Sequence, residues 1–393
     1  GLGWNLHHEK FLKNVNWLQQ LKIRGSYGLT GSQNYDPYQA ITTYGYLTGE
    51  RYHYAVGAIV MAMGNRDLSW QRTLQQNYGV DLTLWGDRID LSADYYIKTS
   101  KDVLTAVTLP PSLGFSSYMD NLGEVENRGW ELNLKVAILK NQKNSLYWSV
   151  NGSAIHNKNK LLKISNALRA YNETQDELTA TGEQKDGVNR PRVRYMEGAS
   201  MNSIWVNQSL GIDPATGNEI YIKRNGEMTF EYNHNDKIEC GDMKPKIEGN
   251  VNTNLNWKGF NLYMLFKYQY GGKIYNATLA SKVEGANPLK NADKRVLYDR
   301  WKEPGDHAKF RRIDDTSAPY QTTRLVFDNN LLALQSVSLS YELPRKISQK
   351  MYMERVKLLL SSTDLFRLSS VKQERGTSYP FARTFSIGLN VTF

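Results

Sequence analysis

Cysteine is almost absent from the 393-residue chain: Cys240 stands alone, which excludes an intrachain disulfide and any zinc site built on paired cysteines. Long apolar runs are missing too. The greasiest window, "AVGAIVMAM" at residues 55–63, is far shorter than the roughly 20 residues a membrane-spanning helix needs, so helical spans are excluded. Paired histidines are also lacking. His7, His8, His53, His156, His234 and His307 show no HExxH or other ligand spacing, and neither a metal nor another cofactor is expected. Basic clusters are absent: 49 Lys and Arg lie dispersed among 39 Asp and Glu, with no basic helix or RNP-like motif behind the net charge of +10. Nucleic acid is therefore not an expected partner. No nucleophile motif frames the many Ser and Asp residues, so no enzyme is expected. The opening "GLGWNLHHEK" has no basic region followed by an apolar one, and residues 1–5 read as the tail of a strand already in progress. A fragment of a longer protein is the expectation.

What the chain has in quantity is tyrosine and tryptophan, 25 and 9, and alternation. A mean hydropathy of -0.57 is compatible with a membrane β-barrel, because lipid-facing and lumen-facing residues alternate and the average stays polar. About twelve alternating segments recur from end to end. In "LKIRGSYGL" Leu21, Ile23, Tyr27 and Leu29 share one face. "LQQNYGVDLTL" and "IDLSADYYI" form a hairpin across Gly86-Asp87, where a type II′ turn is predicted. The pattern continues through "WELNLKVAI", "LYWSVNGSA", "NSIWVNQSLG" and "EIYIKR". "NVNTNLNW" sets Val251, Thr253, Leu255 and Trp257 against four asparagines, and "FNLYMLFKYQY" follows across Lys258-Gly259. "LLALQSVSLSYEL", "RVKLLLSSTDLF" and the terminal "TFSIGLNVTF" complete the series. In the last, Phe385, Ile387, Leu389, Val391 and Phe393 make one oily face.

Connection lengths alternate. Long gaps fall at residues 31–70, 99–127, 158–200, 225–246, 271–330 and 369–379, with short ones at 86–87, 139–145, 213–218, 258–259 and 344–353. Outer-membrane barrels sort their loops in this way, with short periplasmic turns and long external loops. Most segments also have the roughly 9 to 11 residues a tilted barrel strand needs to cross. The expected fold is all-β: a transmembrane antiparallel up-and-down barrel, multi-pass in the outer membrane, with the C-terminus at the periplasmic side and membrane lipid around it.

Several stretches resemble the C-terminal part of the SusC/RagA family of TonB-linked outer membrane transporters. They are "LKIRGSYGLTGSQNYDPYQ", "NRDLSWQRTLQQNYGVDLTLWGDRIDLSADYYIKTSKDVL", "GFSSYMDNLGEVENRGWELNL", "GDMKPKIEGNVNTNLNWKGFNLYMLFKYQYGGKIYN" and "YPFARTFSIGLNVTF", in the family's order. The resemblance implies a barrel of about 22 strands around an N-terminal plug, of which residues 1–393 are the C-terminal portion, a single domain. It also implies a SusD-like lipoprotein partner and energy supplied through TonB. Neither plug nor TonB box lies in this sequence. Two turns depart from the family pattern: Arg66 replaces Pro in "NPxLxW", and "GDMKP" stands where "GDPNP" is usual. Each gives up a fixed φ at one turn.

The expected function is TonB-dependent import of an oligomeric nutrient, with an oligosaccharide or peptide as ligand; the alternatives are a self-contained passive or secretory barrel and a soluble carbohydrate-binding β-sandwich. Candidate residues for ligand or lid contact are Tyr35, Tyr38, Tyr44, Tyr46, Tyr52 and Tyr54 in one long loop, since tyrosine offers a flat apolar face and a hydroxyl. Packing of that loop on itself explains them equally well. The resemblance gives Phe385, Ile387, Leu389, Val391 and Phe393 the role of a barrel assembly signal. Asp213 in "DPATGN" is open to two readings, calcium binding with Asn218 or an Asx-Pro turn.

Overall fold

A computed structural model of the chain describes residues 1–32, 38–53, 55–108, 117–121, 123–141, 143, 145–180, 194–287, 289–315, 319–372 and 383–393. The chain opens with β1 (Leu2–Asn5) and β2 (Leu18–Ser32), and a ribbon of β3 (Thr43–Tyr52) and β4 (Ala55–Ala62) stands in the loop that follows. After β5 (Gln71–Leu84) and β6 (Ile89–Lys101), a smaller ribbon of β7 (Leu104–Thr108) and β8 (Ser117–Asn121) precedes β9 (Gly123–Asn141) and β10 (Leu146–Ile164). The next loop holds helix α1 (Asn166–Ala180) and four strands, β11 (Ser203–Ile212), β12 (Glu219–Ile222), β13 (Met228–Thr229) and β14 (Lys237–Asp242). Last come β15 (Ile247–Trp257), β16 (Phe260–Tyr275), β17 (Val326–Glu342), the short helix α2 (Arg345–Lys350), β18 (Arg355–Ser369) and β19 (Thr384–Thr392).

Eleven of these strands form one sheet in the order β1-β2-β5-β6-β9-β10-β15-β16-β17-β18-β19, antiparallel throughout. This is an up-and-down arrangement, a partial barrel whose edges β1 and β19 do not pair with each other among the described residues. Two segments expected in the barrel wall, residues 202–211 and 219–224, instead belong to a separate sheet of order β13-β12-β11-β14. Their alternation is real, but Ser203 to Asn207 are buried on both faces, the mark of a packed extramembrane strand. With these two removed, the connections still alternate. Residues 33–70, 102–122, 165–246, 276–325 and 370–383 are the long ones, and 6–17, 85–88, 142–145, 258–259 and 343–354 the short ones.

Turn chemistry explains two of the short connections. Lys258 and Gly259 both take positive φ, 46° and 89°, as a two-residue hairpin loop that matches the strand twist requires. The 85–88 turn differs from the predicted type II′, in which only the first central residue has positive φ. Trp85, Gly86 and Asp87 all have positive φ, 55°, 65° and 62°, and the Arg88 N–H closes the loop on the Leu84 carbonyl at 3.0 Å.

Register makes the faces coherent. Leu21, Leu82, Leu91 and Leu134 stand opposite one another in successive strands, and the adjacent row reads Lys22, Asp81, Ser92 and Asn133. A slip of one residue would exchange the rows. The apolar face of the sheet is open: Phe385, Ile387 and Leu389 are 70%, 79% and 64% exposed. Two sheets packed as a sandwich would bury such a face against each other, whereas Leu134, Leu339 and Leu360, farther along the same face, stay partly exposed as well. Buried apolar clusters gather instead at and beyond the loop ends of the strands, around Leu161 and Leu168 and around Ile204, Val206 and Leu325. Aromatic rings mark the short-turn rim, where Trp17 lies 6.3 Å from Trp85 and Phe260 lies 4.3 Å from Tyr341. On β16 the outer face runs from Phe260 to Tyr270, about 33 Å of strand. At a tilt of about 40° that gives roughly the 25 Å height of an outer-membrane apolar band.

Candidate functional site

The opposite face of the sheet is a hydrophilic wall enclosing about 620 Å³ of concave space. Alternation alone puts its residues there. On the β2–β5–β6 sector Arg24 lies 2.8 Å from Asp81 and 3.0 Å from Asp94, and Ser92 donates to Asp81 at 3.0 Å. Gly79 leaves the room: a Cβ there would lie 2.4 Å from the Asp94 carboxylate and 2.8 Å from the Arg24 guanidinium. The β10–β15–β16 sector is uncharged by comparison, a grid of amides in which Asn151 donates to Asn252 at 2.7 Å and Asn261 to Asn254 at 2.9 Å. Each amide carries two donors and an acceptor, so such a grid offers hydrogen bonds without selecting a sign of charge.

Beyond the strands the described residues of the connections 165–246 and 276–325 fold together into one loop unit. Asn207 bridges to Thr322, Ser209 N–H donates to the Thr323 hydroxyl at 3.0 Å, and the Trp301 indole donates to the Pro214 carbonyl at 2.9 Å. At its centre Arg324 lies 3.1 Å from Glu219 and 2.9 Å from Glu284, and Arg311 reaches Glu284 at 2.9 Å. Glu219, Glu284 and Arg311 are all buried. Burial pushes the Glu284 carboxyl up, but Arg324 and Arg311 more than offset that and hold it below its ordinary value of 4.5. A depressed carboxyl stabilises the fold fully above that ordinary value and loses the contribution as pH falls through its folded pKa. Amide protection of the loop unit is accordingly expected to hold constant from neutrality down to pH 4.5 and to fall below it, as read by hydrogen exchange. A decline already complete at pH 6 would contradict the assignment.

The comparisons with known proteins agree with this geometry. The family described as TonB dependent receptor-like, beta-barrel matches residues 1–207, just over half of the chain. The chain belongs to that family. Its curated relatives include a TonB-dependent receptor of Formosa agariphila, 25% identical over 100% of this chain and 42% of the relative. Another is the TonB-dependent receptor SusC of Bacteroides thetaiotaomicron, 26% identical over 72% of this chain and 28% of the relative. Among solved structures the RagAB peptide transporter superposes with a TM-score of 0.81 at 22% identity, covering 100% of this chain and 43% of that one. This is a SusC/RagA-like receptor barrel of the outer membrane, and it spans less than half the length of the relatives it matches.

Within the receptor barrel the expected loop tyrosines are only partly gathered. Tyr44 and Tyr46 lie on one face of the β3–β4 ribbon, opposite Val60 and Ala58, and both are exposed, as is Tyr38. Tyr52 ends β3; Tyr35 and Tyr54 lie outside the described residues. Phe385, Ile387 and Leu389 stand on the open outer face of β19, Val391 is half-buried, and Phe393 is exposed just beyond the strand. Asp213 accepts from Ala215 N–H at 3.2 Å and from the Thr216 hydroxyl at 2.6 Å. Its carboxylate therefore caps a turn inside the loop unit, not a connection between barrel strands. Sequence reasoning missed the Arg324 cluster, whose members are scattered over more than a hundred residues with no motif spacing. It missed the loop ties of Asn65 and Asn121 as well: Asn65 donates to the Met119 carbonyl at 3.0 Å and Asn121 to the Asp102 carbonyl at 2.8 Å.

Proposed function

We propose that the chain is the C-terminal portion of a single barrel domain of an importer that takes an oligomeric nutrient, glycan or peptide, across the outer membrane. The whole receptor draws its energy through TonB and works with a SusD-like surface lipoprotein. The C-terminus lies at the periplasmic side, with the loop unit outside the cell. One observation carries the reading: an exposed apolar face surrounds a hydrophilic inner wall, and every long connection leaves from the same end of the strands. The likeness to the RagAB peptide transporter and to SusC supports the lipoprotein partner, and the former supports peptide as one ligand class. A self-contained passive barrel is the weaker reading, because β1 and β19 are left as unjoined edges among the described residues.

Uptake tests the import reading. In cells carrying the full-length receptor, collapse of the proton gradient across the inner membrane should abolish accumulation of its oligomer; uptake that continues undiminished would indicate a passive pore. Tyr38, Tyr44 and Tyr46 present rings to ligand or lid in this reading. The terminal residues act in assembly, since Phe393 completes the outer face at the short-turn rim, where aromatic girdles anchor barrels. Deletion of Phe393 is expected to lower surface receptor severalfold; surface labelling at wild-type level would remove that role.

A further inference from the structure

Between β11, β17 and residues 279–310 lies a pocket of about 550 Å³, within the roughly 300 to 1,000 Å³ typical of ligand sites. Leu279, Phe310, Leu325 and Phe327 wall it, and Ala308 lines it beside them. Its place follows from register. On β17 Phe327 alternates in step with Leu331 and Ala333, whose partners across the ladder are Gln269 and Lys267 on the inner face of β16. The pocket therefore opens where the hydrophilic wall meets the loop unit.

Three cations line it, and each is already in an ion pair. Arg324 is held by Glu219 and Glu284, Arg295 lies 2.6 Å from Asp293, and Lys309 lies 2.9 Å from Asp299. No ionic partner is called for, and an apolar group gains most by entering. A sugar ring entering it would need its hydroxyls matched by side chains such as Asp299 and Lys309 that are already paired with each other, a demand an apolar side chain does not make.

We propose that this pocket receives an apolar or aromatic side chain of a peptide ligand at the mouth of the conduit. Its place on the ligand's route rests on the import reading; the affinity it confers does not. Calorimetry on the purified full-length receptor separates the two, using three neutral probes: a capped Gly/Ser hexapeptide containing one Phe, the same peptide without Phe, and maltohexaose. The Phe peptide should bind about tenfold or more tighter than its Phe-less counterpart. Ala308→Trp, which fills the pocket, should erase that difference. Phe310→Ala, which removes a wall, should weaken the Phe peptide about tenfold, and heat-modifiable gel mobility reports that each variant remains a folded barrel. Absence of Phe-dependent binding overturns the proposal, as does a preference that survives in both variants or maltohexaose binding that Ala308→Trp blocks. If the binding pattern holds while a receptor-deletion strain still accumulates the peptide normally, the pocket stands and the import reading falls. If the receptor imports maltohexaose and shows no Phe dependence, import stands and the pocket assignment falls.

Discussion

Arg324→Met in the full-length receptor is expected to cost the loop unit about 3 to 5 kcal/mol, the usual penalty for removing one partner from a buried ion pair. The guanidinium is the only group that touches both Glu219 and Glu284, at 3.1 and 2.9 Å among the described contacts. Its removal leaves Glu219 with only the Thr322 hydroxyl, at 2.7 Å, of the partners described here, while Glu284 keeps Arg311. The two carboxylates come from different loops, so the unit should loosen as a whole. Hydrogen exchange should quicken across residues 203–222 and 279–285 together, while β5 and β6, six and five strands away from β17 in the sheet, keep their protection. Adding Glu219→Gln to Arg324→Met should recover part of the loss, because a neutral amide is cheaper to bury than a charge without its partner. A single-variant cost below 1 kcal/mol would mean that the cluster is solvated and that other contacts hold the loops together.

The barrel was legible in the sequence where one periodicity governs and a boundary is cheap to recognise. β15 shows this best: four asparagines alternate with Val251, Thr253, Leu255 and Trp257, and the two faces meet different media with nothing else to decide between them. β11 shows the limit. "NSIWVNQSLG" carries a similar pattern, yet Trp205 and Val206 are both buried, because in the loop unit protein packs on each side of the strand. Periodicity reports that a strand has two unlike faces, not what covers them. The loop unit was illegible for a further reason: its stability lies in long-range contacts such as Glu219 with Arg324, and a single sequence carries no mark that two distant charged residues will meet. The candidate tyrosines fall between these cases. Composition located the aromatic loop, and the structure adds that Tyr44 and Tyr46 share a ribbon face, which follows from their spacing of two once the ribbon exists.

Phe266→Arg is expected to cost about 2 to 4 kcal/mol of bilayer stability, as for a cation on the lipid face near midplane, and Leu262→Arg, only two residues from the rim residue Phe260, should cost less. Phe266 stands between the rim residue Phe260 and Tyr270 on the outer face of β16, flanked across the ladder by Val251 and Leu334 and 6.3 Å from the ring of Phe366. An arginine there has hydrocarbon on its open side and apolar neighbours on either strand. The protein supplies its own control one residue away, since Lys267 is native on the inner face, between Asn250 and Ala333. At nearly the same depth a full charge is tolerated on one face, so depth alone cannot produce the penalty. Asn261→Arg, also inward, should therefore cost much less, limited to the hydrogen bonds that Asn261 gives to Asn254 and Asn256 at 2.9 and 2.5 Å. Equilibrium folding into lipid vesicles measures each variant against wild type. Equal costs for Phe266→Arg and Asn261→Arg would mean that both faces of β16 see the same medium, and the assignment of lipid outside and water inside would have to be given up.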